Sequence, residues 1–138
     1  MRKRTRAREF SLQILYQVDI THDKCDDSLA NFWQAHSEEN INEDIKNFTS
    51  ELVKGVTDNL DVIDKKIAQY ATNWQLERMA VVDRNVMRLS CFELLFREDI
   101  PPKVSINEAV ELAKKYSGLE AGKFVNAILD KIKLEKNK

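Results

Sequence analysis

Helix breakers are scarce in this sequence, with 3 glycines and 2 prolines among 138 residues. A β-sandwich or barrel needs turn residues at every few steps, so this poverty argues for helices joined by short connections. Gly55, Gly118 and Gly122 form neither GxxxxGK[ST] nor GxGxxG, the two glycine patterns that cradle phosphate. Histidine is limited to His22 and His36 and cysteine to Cys25 and Cys91, and neither pair has zinc-site spacing. One cysteine lies in a polar stretch and the other in an apolar one, which argues against a structural disulfide and fits a reducing compartment. No apolar run approaches the roughly 20 residues that span a bilayer. Gln13, Gln17 and Asp19 interrupt the stretch after the basic start, so it lacks the apolar core of a signal peptide. No nucleophile stands beside a base. These absences predict a cytoplasmic, noncatalytic chain with no cofactor, no metal and no membrane partner.

What is present is unevenly distributed. Arg2, Lys3, Arg4, Arg6 and Arg8 put five positive charges in the first eight residues, before the first carboxylate at Glu9. The chain as a whole carries −1, so the remaining 130 residues carry −6. A basic tip is attached to an acidic body. At this length one domain over residues 1–138 is expected, with the tip at 1–8 and a solvated tail at 134–138.

The apolar residues recur with helical spacing. Ala7, Phe10, Ile14, Leu15 and Val18 draw one stripe, and the positive tip opposes the dipole at that helix's N-terminus, which predicts fraying. Asp27 or Ser28 is placed to cap a short helix bearing Leu29, Phe32 and Trp33. Ile45, Phe48, Leu52 and Val56 mark a third helix, and Leu60, Ile63, Ile67 and Tyr70 a fourth. The periodicity lapses from Ala71 to Arg78. In VVDRNVMRLSCFELLF two stripes overlap, Val82, Val86 and Leu89 on one face and Met87, Cys91 and Leu94 on another, which marks a centrally buried helix. Pro101 and Pro102 end it. Ser105 and Glu108 have the spacing of a capping box, and Ser117-Gly118 closes that helix. A last helix carries Phe124, Val125, Ile128, Leu129 and Ile132. The fold class is all-α, with about seven helices.

With catalysis excluded, binding remains. Arginine outnumbers lysine four to one in the tip, and a guanidinium both forks onto phosphate and stacks on unpaired bases. In a helix Arg4 and Arg8 share a face; in an extended chain Arg2, Arg4, Arg6 and Arg8 share one. Tyr16, Tyr116 and Phe124 offer stacking surfaces beside Lys114, Lys115 and Lys123. The alternative reading is a helical protein-interaction module whose arm binds polyanions without specificity.

Four blocks, RTRAREFSLQILYQVD, VVDRNVMRLSCFELLF, DIPPKVSINEAVELAKKYS and KFVNAILDKI, occur in an order that resembles the NusB family of bacterial transcription antitermination factors. The resemblance covers essentially the whole chain. It implies two small helical bundles packed around the central helix. It also implies binding of single-stranded boxA-type RNA of ribosomal RNA leader transcripts together with NusE, a small-subunit ribosomal protein, within an RNA polymerase antitermination complex containing other Nus factors. By the same resemblance Arg2, Lys3, Arg4, Arg6, Arg8, Tyr16, Lys114, Lys123 and Phe124 are the RNA-binding residues, and Asp83 and Glu77 face the protein partner. Ala121, Leu119-Glu120, Phe92 and Ala127 depart from the common family pattern.

Overall fold

The computed structural model describes residues 2–136. They form seven α-helices: α1 Lys3–Thr21, α2 Cys25–Ala35, α3 Glu43–Asp58, α4 Leu60–Tyr70, α5 Val81–Phe96, α6 Pro102–Ser117 and α7 Leu119–Lys136. Short 3-10 turns at Ser37–Glu39 and Leu76–Arg78 fill two of the connections.

The doubly apolar segment is the hub. Helix α5 contacts α1, α3, α4, α6 and α7, and Val86, Met87, Leu89, Cys91 and Leu94 on its two stripes are all buried. Helices α1, α2 and α3 pack against one another on one side, while α6 and α7 form a hairpin that α4 joins through α7. This is the expected pair of bundles around a central helix. Close approach at the hub is set by Gly55 of α3, where a Cβ atom would lie 2.1 Å from the Phe92 ring of α5.

Several local expectations change. Helix α2 begins at Cys25 with Lys24 as its N-cap, so Asp27 and Ser28 lie in its first turn and cap nothing. Helix α5 ends at Phe96, before the proline pair. Pro101 is the N-cap of α6 and Pro102 its first helical residue, where the missing N–H costs nothing because that donor has no intrahelical acceptor. The capping box therefore does not form: Ser105 lies a turn inside α6 and its hydroxyl meets Ser90 Oγ at 2.9 Å, while Glu108 accepts from Thr5 Oγ1 at 2.6 Å. Gly118 does close α6, at φ 111° in the region that suits glycine. Most of the expected solvated tail is helical. Glu135 accepts from Lys66 at 2.5 Å and from the Tyr70 hydroxyl, and Lys136 donates to the Leu94 carbonyl. Asn137 and Lys138 lie outside the described residues, as does Met1 at the tip.

Both cysteines are free thiols. Burial pushes Cys91 up to about 12 and also raises Cys25, so neither has the thiolate character that reactivity requires. Among the described residues no helix is long and apolar enough to cross a membrane.

Candidate nucleic-acid interface

The basic tip is the first two turns of α1. Arg2 is the N-cap, with extended dihedrals (φ −66°, ψ 146°), and its carbonyl accepts from the Arg6 amide at 3.0 Å. Arg2, Lys3 and Arg4 are exposed, Arg6 is half-buried and Arg8 is buried. Nearby carboxylates offset the unfavourable dipole. Lys3 pairs with Asp44 at 3.2 Å and Arg4 with Asp99 at 3.8 Å. The hydrogen bond from Arg97 holds Asp99 down to about 2, with Arg4 adding to the effect. Arg4 also lies 4.4 Å from the Phe48 ring centroid and Arg6 5.1 Å from that of Phe10, distances at which a guanidinium is attracted to the ring quadrupole.

Arg8 does not belong with the others. Its side chain is 3% exposed, its Nε and Nη2 donate to Glu93 at 2.9 and 2.7 Å, and its Nη1 lies 3.5 Å from Glu108. A guanidinium so enclosed has no free donor edge for a phosphate, and the expected RNA contact is corrected to an internal tie between α1, α5 and α6. The physical reason lies in the helical geometry: Arg4 and Arg8, four apart, share a face and both lie by the Phe48 ring, but Arg8, one turn further along α1, is enclosed by Glu93 of α5 and Glu108 of α6 while Arg4 stays exposed. A signal was available in the sequence. Glu93 stands between Phe92 and Leu94 in the most apolar segment, and a buried carboxylate calls for a cation.

A second group gathers where α6 turns into α7. Lys114 is exposed, and its stem packs over Gly122, where a Cβ atom would lie 2.8 Å from Lys114 Cγ. Lys123 is exposed and 3.4 Å from Glu120. Phe124 is half-buried and meets Trp74 edge to face, with ring centroids 5.9 Å apart. The tip and this corner are linked by Lys115, which donates to Glu9 of α1 at 2.7 Å; that hydrogen bond raises the lysine further above its ordinary value. Tyr16, 41% exposed, lies two turns beyond Glu9 on the same face of α1. Glu9 thus joins α1 to the end of α6, the helix end that leads into the turn carrying Lys123 and Phe124.

The two residues expected to face the partner sit beside this corner. Glu77 is exposed on the 3-10 turn. Asp83, in the first turn of α5, lines the same cleft as Phe124, together with Trp74 and Arg78. Neither Trp74 nor Arg78 was identified from periodicity, because both lie in the stretch where it lapses.

The model of the NusB family matches residues 5–133. The chain belongs to the NusB family. It is 45% identical to the transcription antitermination protein NusB of Thermodesulfovibrio yellowstonii, over 96% of this chain and 93% of that one. Among solved structures, T. maritima NusB superposes with a TM-score of 0.85 at 38% identity, covering 98% of this chain and 92% of that one. A chain from the crystal structure of antitermination factors NusB and NusE in complex with double-stranded RNA gives 0.85 at 31% identity, covering 98% of both. Membership in the NusB family makes the protein a noncatalytic antitermination factor.

Proposed function

We propose that residues 1–138 act as one binding unit that joins boxA-type single-stranded RNA of ribosomal RNA leader transcripts to the ribosomal protein NusE and so supports RNA polymerase, with other Nus factors, in reading through terminators. RNA runs from Arg2, Lys3, Arg4 and Arg6 past Tyr16 to Lys114, Lys123 and Phe124. NusE docks from the side of Glu77 and Asp83. The observation that supports this reading is the Lys115–Glu9 contact, which ties the basic helix α1 to the end of α6.

Phosphates attract the exposed cations without regard to sequence, and Tyr16 and Phe124 offer faces on which splayed bases stack. Each ligand raises the effective concentration of the other on the shared scaffold. The acidic body, at −6 outside the tip, complements a basic ribosomal protein and steers it to the docking side.

The deciding experiment is the binding of a fluorescent boxA-type RNA, a scrambled strand and a boxA duplex, each with and without purified NusE. Preference for the boxA strand that sharpens with NusE is the expected result. Equal binding of all three, indifferent to NusE, reduces the tip to a nonspecific polyanion arm.

A further inference from the structure

Phe32 and His36 stand four residues apart at the end of α2, so their rings share a face. They stack with centroids 4.1 Å apart at an interplanar angle of 25°. Phe10 of α1 lies 5.3 Å from the first ring and 5.8 Å from the second, two similar distances that put it beside the stack and not on its end. Trp33 meets Phe32 and Phe10 edge to face. Both imidazole nitrogens of His36 are engaged: Nδ1 donates to the Phe32 carbonyl at 2.8 Å, and Nε2 lies 3.5 Å from Glu39. Among the described residues no ring covers the His36 face away from Phe32, and the side chain keeps 25% exposure. The stack therefore ends on an open aromatic face.

Positive charge is available beside it. In the tip, Lys3, Arg4 and Arg8 have carboxylate partners. Arg6 has none among the described residues and lies 5.1 Å from the centroid of Phe10, the ring beside His36. Lys46 lies 5.7 Å from the Trp33 centroid, and its contact to the exposed Glu43 is a loose 3.9 Å. Cations for phosphate next to a ring face for a base are the pairing that holds single-stranded nucleic acid. A neutral base tolerates Glu39 as a neighbour, while phosphates are repelled from it toward Arg6 and Lys46.

We propose that the open face of His36 stacks a base of the RNA strand beyond the boxA element, with the adjoining phosphate at Arg6, so that the strand extends from the tip onto the end of α2. The inference rests on the reading of the tip as an RNA contact and lengthens that contact onto a second aromatic platform. Every base has a ring face, so the platform is tolerant of sequence. It adds affinity for the flanking RNA without adding to the recognition of boxA.

The test uses the full chain and a boxA-type RNA, alone or lengthened at either end by a few unpaired nucleotides, with a fluorescent adenine analogue at each added position in turn. In the parent, lengthening at one end is expected to tighten binding about tenfold whatever the added bases, and one added analogue to be quenched by stacking when the RNA binds. His36→Ala should shrink that gain toward one and abolish the quenching, while His36→Phe, which keeps a ring, should retain the gain. If His36→Ala does not fold, Arg6→Gln decides, since it leaves the stack in place and should also reduce the gain. A parent-like gain in folded His36→Ala or in Arg6→Gln, or no gain from lengthening at either end, overturns the platform and leaves the boxA contact standing. If the parent binds no boxA-type strand, the functional reading itself falls, and the platform with it.

Discussion

Arg8 and Glu93 form a two-pronged ion pair in the interior, with N–O distances of 2.9 and 2.7 Å and side-chain exposures of 3% and 1%. The pair fastens the basic helix to the central one. Removing one partner leaves a buried charge, and Arg8→Ala is expected to cost about 3–5 kcal/mol. Arg8→Lys should also destabilise, since a lysine cannot make the paired contact. Replacing both residues with apolar ones of similar volume should recover much of the loss. Urea unfolding of the two single variants and the double variant checks this. If Arg8→Ala unfolds at the parent midpoint and instead binds RNA less well, Arg8 belongs with the RNA contacts after all.

The burial of Arg8 also changes the expected salt dependence of RNA binding. Four tip cations remain for the proposed contact, Arg2, Lys3, Arg4 and Arg6, of which Lys3 and Arg4 are paired with Asp44 and Asp99 and would have to exchange them for phosphate. At roughly 0.7 per phosphate on a single strand, their contribution to the log-log slope is about −2.8. Titrations from low to moderate salt, comparing the parent with a variant in which these four are glutamine, measure that contribution as a difference. A difference near zero would mean that the tip does not touch the strand.

Phe124 is half-buried with one edge against Trp74, so Phe124→Leu keeps most of its packing and loses only the aromatic face. RNA affinity should weaken by about 1–3 kcal/mol, with thermal unfolding close to that of the parent. Parent-like affinity in the folded variant would assign the ring to packing alone.

Helical periodicity made the fold legible because burial follows a stripe whatever its partners are. Val86 with Leu89, and Met87 with Leu94, announced a central helix without any knowledge of what surrounds it. The capping box misled for the same local reason: Ser105 and Glu108 have the right spacing, but their bonds go to Ser90 and Thr5, residues far away in the chain. Arg8 shows the limit most clearly. Its charge is visible in the sequence, while the carboxylate that claims it is 85 residues away. Trp74 and Arg78 were missed because irregular backbone places them, and no period marks such positions.

Asp19, at the far end of α1, gathers three donors on one oxygen: Arg84 Nε at 2.6 Å, Asn85 Nδ2 at 2.9 Å and Arg88 Nη1 at 3.0 Å. Arg88 is held in turn by both oxygens of Asp64, at 2.8 and 2.9 Å. Burial alone would raise the Asp19 carboxyl, but the hydrogen bonds from Arg84 and Asn85 and the charges of Arg88 and Arg84 bring it below its ordinary value. A carboxyl lowered by folding binds fewer protons in the native state. Its stabilisation is therefore complete above the unfolded value of about 3.9 and lost as pH falls through the lower folded one. Asp19→Asn should cost about 1–3 kcal/mol at neutral pH, less than a fully buried pair because these side chains keep some contact with water. It should also flatten the acid limb of stability, since the group that titrates is gone. Urea midpoints measured from pH 7 down to pH 3 compare the two proteins. Parallel curves would locate the acid sensitivity in other carboxylates, and the Asp19 cluster would then be a positional constraint that contributes little to pH dependence.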